Sequence, residues 1–297
     1  MEVKHLLIDC NNIGHIAAHS MPNHLSSFEK PTAVLFGFLS AVLKLQEKFK
    51  ADDMHFCWDS RQSYRKLVYP GYKEKRHTKD KTEEEIEDQR VMYNQFTELR
   101  KDILPNMGFT NVHMKTGFEG DDIMAVIVNK YKLPKETCVV VSTDHDLFQL
   151  ISSIVTVYNP ITEVVMKPES FKDKYDITPN KWALTKAISG CSSDEIVGVQ
   201  GVGEKTAIKY INGTLPSHYA AFKRMESNEG QIIRRKNMRL VDLPFKKDKL
   251  KIEIKPQHEL YAEDFRNVFS ELGFETFLRD FFKWERAFNL QESDIGF

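Results

Sequence analysis

The chain has 297 residues, 41% of them hydrophobic and 29% charged, with a formal net charge of −1. That length suits one large domain or two modest ones, and the composition excludes disordered and fibrous classes. No apolar run approaches the ~18 residues of a membrane-spanning helix, and the apolar start Leu6-Leu7-Ile8 is broken at once by Asp9, Asn11 and Asn12, so it does not read as a signal peptide.

Val3–Cys10 reads as a buried strand closed by Asp9. Pro31 opens an amphipathic helix to about Phe49, with Val34, Leu35, Phe38, Leu39, Val42 and Leu45 at helical spacing. Met54–Trp58 is a second strand, followed by Asp59. Residues 61–81 then carry eight Lys/Arg against two acids, a local charge of +6. Thr82 and Glu85 form a capping box for a helix with Ile86, Tyr93, Phe96, Leu99 and Ile103 on one face. Phe109–Met114 is a third strand. Glu119, Asp121 and Asp122 follow it at the mouth of a helix over Asp121–Tyr131. Thr137–Ser142 is a fourth strand, with Asp144 and Asp146 after it and a short helix from about His145. Ile154–Tyr158 and Glu163–Met166 complete the strands.

After about Phe171 helices take over. Asn180–Ser189 and Glu204–Ile211 flank a glycine-rich turn, Gly198–Gly203, and a second basic stretch follows: residues 234–251 again hold eight Lys/Arg against two acids. The Phe-rich end (Phe274, Phe277, Phe281, Phe282, Phe288) is expected to pack as helix. The four cysteines, Cys10, Cys57, Cys138 and Cys191, have no paired spacing and are expected as reduced thiols in a cytoplasmic setting. Alternating strands and helices predict an α/β fold, a central, mostly parallel sheet with helices on both faces, over 1–175, with a helical C-terminal lobe over 176–297.

The acids fall in a pattern. Asp9, Asp59, the Glu119/Asp121/Asp122 group and the Asp144/Asp146 pair each follow a strand, and strand ends in a parallel sheet share one edge. Any one of them alone is an ordinary helix cap or turn residue. Together they would repel one another and raise one another's pKa values unless a cation compensates. No histidine or cysteine accompanies them at ligand spacing, so oxygen ligation of a hard cation, Mg²⁺ or Mn²⁺, is expected, and two ions are the usual arrangement for phosphodiester hydrolysis.

The segments LLIDCNNIGH, HFCWDSRQSYRKLVYPGYKEKR, GFEGDDIMAVIV, VVVSTDHDLFQL and GVQGVGEKTA together resemble the 5′-nuclease or flap endonuclease family. The likeness is to stand-alone bacteriophage 5′-exonucleases and to the 5′-nuclease domain of bacterial DNA polymerase I, over roughly Val3 to Leu243. It implies a PIN-like core and metal binding by Asp9, Asp59, Glu119, Asp121, Asp122, Asp144, Asp146 and Asp194. Lys73, Asp59, Asp122 and Asp146 would act in catalysis. Tyr72, Lys73, Arg76, Arg65, Gly201, Gly203, Lys205 and Thr206 would touch DNA, Lys73 at the scissile phosphate and Tyr72 by stacking on a base. Residues from about 61 to 100 would form a helical arch, and about 180–212 a helix-hairpin-helix that grips duplex backbone and holds K⁺ on its carbonyls.

The resemblance further implies DNA with 5′ ends, flaps or branches as partner, RNA–DNA hybrids as further substrates, no membrane, a monomer, replication proteins as possible neighbours, and a host cytoplasm if the source is viral. One departure stands out: Cys191 sits where the family has an acid, and a thiol is a poor Mg²⁺ ligand, so the second metal position is expected to bind more weakly. A PIN-type ribonuclease, and a branched-DNA binding protein weakened in catalysis, remain the alternatives. The glycine-rich turn and the PGYK segment speak against the first. Only Cys191 speaks for the second.

Overall fold

The run HLLID is apolar on both faces, as a strand covered on both sides must be, and it forms the buried strand β1 (His5–Asp9). The computed structural model describes residues 2–20, 26–27, 30–75 and 81–292 of the chain. These fall into two compact units that are discontinuous in sequence. The first comprises Met1–Asp59, Lys81–Met114 and Glu253–Phe297, the second Ser60–Asp80 and Lys115–Ile252. This is a different partition from the expected 1–175 and 176–297: one follows contacts, the other the order of composition along the chain. The six strands count as a mixed, mostly parallel sheet flanked by helices, with a helical C-terminal region.

In the first unit β1 pairs in parallel with β2 (Asp53–Trp58), and β2 with β3 (Val112–Met114). Helix α1 (Cys10–Ser20) starts directly after Asp9. The sequence CNNIGHIAAHS is rich in weak helix formers, so propensity alone does not announce it. What starts it is the strand-end acid, since Asp9 Oδ1 accepts from the Asn12 amide at 3.1 Å. Helix α2 (Ala33–Phe49) buries Val34, Leu35, Phe38, Leu39, Val42 and Leu45 as its spacing predicts. Phe38 stacks on Trp58, ring centroids 5.6 Å apart. Ahead of the helix that starts at Glu83, the capping box forms as expected: the Glu85 amide donates to Thr82 Oγ1 and the Thr82 amide to Glu85 Oε2. Of that helix's apolar face Phe96, Leu99 and Ile103 are buried, whereas Ile86 is exposed. Phe265, Phe269, Phe274, Phe277, Phe281 and Trp284 are buried too, and Phe277 stacks on Phe36 at 4.5 Å. Of the Phe-rich end, Phe274, Phe277 and Phe281 are core, Phe288 is half-buried and Phe282 is exposed.

Two helices complete the frame before the second unit's strands: the short α3 (Tyr64–Val68) of the second unit and the long α4 (Glu83–Glu98) of the first. In the second unit α5 (Gly120–Tyr131) precedes β4 (Cys138–Val141), which pairs in parallel with β5 (Val155–Asn159). The third strand, β6 (Val164–Met166), runs antiparallel to β5, which makes the sheet mostly parallel, as expected, rather than wholly so. Residues 160–163 are too few for a parallel crossover. They form a tight turn in which Asn159 Oδ1 accepts from the amides of Ile161 and Thr162 and Glu163 takes a φ of 57°.

Helix α6 (Trp182–Ser189), a two-strand ribbon of Gly190–Cys191 against Ile196–Val197, α7 (Glu204–Ile211) and α8 (Asn228–Val241) follow. Buried Asn237 on α8 donates to the carbonyls of Ala187 and Val197, which ties α8 to α6 and to the ribbon. All four cysteines are buried free thiols. Among the described residues no helix is long and apolar enough to cross a membrane.

Candidate metal centre

In the first unit, Asp9 is buried at the end of β1 and Asp59 is exposed just after β2, where its amide donates to Asn11 Oδ1 at 2.9 Å. Both strand ends therefore carry their acid, and Asp9 also serves as a helix cap.

The second unit holds the rest. Glu119 and Asp122 open α5, and both are buried. Asp122 is wholly enclosed. Its oxygens accept from Arg65 Nη1 and Nη2 at 2.7 and 2.8 Å, from the Glu119 amide at 3.1 Å and from the Phe245 amide at 2.8 Å. A carboxylate offers about four lone-pair sites, so these donors fill it. Asp122 was expected as a ligand and catalytic residue, yet it has no oxygen to spare. Arg65 was expected on DNA, yet its guanidinium is buried, with Nε donating to the Leu240 carbonyl. The pair is an internal brace. A surface motif and a buried ion pair use the same residue types, so the sequence does not tell the two apart.

Glu119 faces the PGYK segment. Its Oε2 accepts from Tyr72 Oη and from Lys73 Nζ, both at 2.9 Å, and Ser63 Oγ donates to Oε1 at 3.3 Å. Burial by itself would raise this carboxyl, but Lys73 and Arg65 outweigh it and set it at about 2. Tyr72 is buried, and its hydroxyl also reaches Asp194 Oδ2 at 3.3 Å. The ring is enclosed here rather than offered to a base, and its hydroxyl bridges Glu119 and Asp194. Tyr72→Phe is expected to cost about 1.5–3 kcal/mol, since the lost hydroxyl serves charged acceptors. Urea unfolding measures the cost, and an unchanged midpoint would count against it. Lys73 takes φ 53°, and its amide donates to the Asp194 carbonyl. Arg76 lies outside the described residues.

Asp146 gathers the remaining donors. Among the described residues Asp146, Cys191 and Asp194 place one ligand atom each within 4.8 Å of one another. Cys191 Sγ is 3.8 Å from Asp146 Oδ2 and 3.0 Å from Ser193 Oγ. Burial and the neighbouring Asp144 push the Asp146 carboxyl up to about 6; Lys186, 3.4 Å away, offsets part of that and Asp194 adds to it. Burial and Asp146 likewise hold the Cys191 thiol above its usual range. Asp144 is exposed and caps the 3-10 turn His145–Leu150, accepting from the Asp146 amide at 2.8 Å. Asp121 is half-buried in the first turn of α5.

Sequence reasoning missed Lys186 and Gln149. Lys186 sits in WALTKAIS, where a cation among small and apolar residues calls for an acid partner; that was the available signal. Gln149 donates to the carbonyls of Asp146 and Val241 and accepts from the Leu243 amide, so it ties the Asp146 turn to the end of α8. Nothing in the sequence marks it.

In the glycine-rich turn, a Cβ on Gly198 would lie 2.2 Å from backbone of Ser189, and Gly201 has φ +68°. Only glycine fits at Gly198, and the left-handed backbone favours it at Gly201. Gly201, Gly203 and Lys205 are exposed, Thr206 is half-buried, and Gly203 caps α7.

A family model described as 5'-3' exonuclease, N-terminal resolvase-like domain, matches residues 4–176, more than half of the chain. The chain belongs to this 5'-3' exonuclease family. It is 26% identical over 305 residues to the thermostable DNA polymerase I of Thermus thermophilus, covering 97% of the chain and 34% of the polymerase. The chain thus spans about a third of that relative's length. Its fold is similar to that of the bacteriophage T5 D15 flap endonuclease solved as a pseudo-enzyme-product complex with DNA and metal ions, at a TM-score of 0.70 and 21% identity, covering 96% of this chain and 99% of that one. T5 5'-exonuclease with bound divalent zinc gives a TM-score of 0.69 at 23% identity, over 81% and 90%.

Proposed function

We propose that the chain is a structure-specific 5′-nuclease that hydrolyses phosphodiesters at 5′ ends and 5′ flaps of DNA, and RNA primers in hybrids. The observation that carries this reading is the convergence of Asp146, Cys191 and Asp194, whose donor atoms lie within 4.8 Å of one another, in a chain of a nuclease family. The donor set fits a hard divalent cation, Mg²⁺ or Mn²⁺, through the carboxylates of Asp146 and Asp194, with Asp9, Asp59, Asp121 and Asp144 assigned by the family motif. Such ions, two in the family's mechanism, lower the pKa of an attacking water and offset charge on the phosphate. Lys73 adds a point charge for the phosphate and is aimed by Glu119. Tyr72 holds Glu119 and Asp194 in place. Asp122, through Arg65, fixes the start of α5. The exposed turn at Gly201–Thr206 presents the α7 amides and Lys205 to duplex backbone, which suits sequence-independent grip, and is where the family resemblance places K⁺.

A 5′-flap cleavage assay with and without Mg²⁺ tests the reading; cleavage that needs no divalent ion would sink it. The grip has its own test. Lys205→Ala is expected to weaken flap-DNA binding and to reduce the slope of log K against log salt by roughly 0.9, one phosphate contact. An unchanged slope would remove Lys205 from the interface.

Cys191 favours a second reading, a branched-DNA binder weakened in catalysis, because a protonated thiol stands among the donors. Cys191→Asp distinguishes the two. An added oxygen ligand is expected to lower the half-maximal Mg²⁺ concentration by roughly tenfold, whereas a pure binder stays inactive at any concentration.

A further inference from the structure

The opposite end of the first unit's strands carries a second convergence of donors, this one built on imidazoles. His5 opens β1 and Asp53 opens β2, directly across the parallel register, and His55 follows on the same face of β2. One donor atom from each lies within 4.8 Å of the others. Asp53 Oδ2 is 3.4 Å from His55 Nε2 and 3.9 Å from His5 Nδ1. Donors at about 2.1 Å from a tetrahedral ion stand about 3.4 Å apart. One contact already meets that spacing, and the other needs about half an ångström.

The donors are also held from behind. Asn111, wholly buried, donates to both Asp53 oxygens at 3.1 and 3.2 Å. The same side chain accepts from the Lys255 amide and donates to the Lys255 carbonyl. His55 Nδ1 lies 3.4 Å from His113 Nε2. With the proton on Nδ1 facing His113, Nε2 turns its lone pair toward Asp53, the outer-shell arrangement that orients a metal-binding histidine.

We propose that His5, Asp53 and His55 form a structural site for a transition-metal ion of the zinc class, with water in the fourth position. Two imidazoles and one carboxylate suit Zn²⁺, Co²⁺ or Ni²⁺ rather than Mg²⁺. The strand separates this site from the acids: Asp9 closes β1 four residues after His5, about 13 Å along it. The ion pins the starts of β1 and β2 and, through Asn111, the segment at Lys255.

The test titrates chelator-stripped full-length protein with Zn²⁺ alone, in excess Mg²⁺, by calorimetry, with melting temperature as a second readout. Wild type and Asp146→Asn are expected to take up one zinc ion tightly and to melt higher with it. His5→Gln and Asp53→Asn are expected to lose both effects; these are conservative changes at strand starts, and either variant decides if the other fails to fold. Zinc uptake that persists in both, or wild type taking up none, overturns the proposal and leaves a plain His–Asp hydrogen-bond cluster. Uptake lost in Asp146→Asn but kept in His5→Gln assigns the zinc to the acids instead and overturns it equally.

Discussion

Arg65→Ala is expected to lower the stability of the fold by about 3–5 kcal/mol, the usual cost of breaking one side of a buried ion pair. The reason lies in what is left behind. Asp122 is fully enclosed, and two of its four acceptor contacts come from Arg65. Without the guanidinium a buried carboxylate keeps only two amide donors, and the Leu240 carbonyl loses its partner as well. Arg65→Lys is expected to recover little, because an ammonium cannot make the two parallel bonds of the planar fork. Replacing both partners together, as in Arg65→Met with Asp122→Leu, is expected to cost less than Arg65→Ala, since no charge is stranded. Urea unfolding of the four proteins measures this order. If Arg65→Ala unfolds at the wild-type midpoint while losing DNA affinity, the brace is wrong and Arg65 belongs on the nucleic acid.

The same pair shows what the sequence could and could not tell. Strand-and-helix alternation was legible because buried parallel strands read as apolar runs, and TCVVVS and HLLID are such runs. The antiparallel β6 was not, because pairing direction depends on the length of the connection and not on the strand's own residues. The acids were legible as a set, since strand ends are where a parallel sheet gathers ligands. Their separate jobs were not. Asp146 and Asp194 converge with Cys191, Asp122 is spent on Arg65, and Asp144 and Asp9 cap helices. Nothing local in GDDI distinguishes Asp121, half-buried, from Asp122, wholly buried. The difference comes from Arg65 and Phe245, distant in sequence. Gln149 was invisible for the same reason.

Asp146→Ala is expected to reduce Mg²⁺-dependent flap cleavage by roughly 10³-fold, because losing a ligand forfeits several kcal/mol of charge stabilisation at the phosphate. The protonation of Asp146 adds a signature in pH. Its carboxyl titrates near 6 instead of 3.8, so protons compete with the cation there, and wild-type activity at limiting Mg²⁺ is expected to fall as pH drops through about 6. Stability should run the other way over that window. A carboxyl whose pKa is raised on folding binds more protons in the native state between the two values, so the metal-free protein gains stability as pH falls from about 6 toward 4. Glu119 opposes this lower down. Its folded value of about 2 lies below the unfolded one, so its contribution is complete above about 4.5 and is lost as pH falls toward 2. Metal-free wild type is therefore expected to be most stable near pH 4–5 as far as these two groups decide it. Asp146→Ala should remove the rise between 6 and 4 and leave the acid loss untouched. Chemical denaturation at half-unit pH steps reads both limbs, and a variant that kept the upper limb would show that another carboxyl carries the surplus charge.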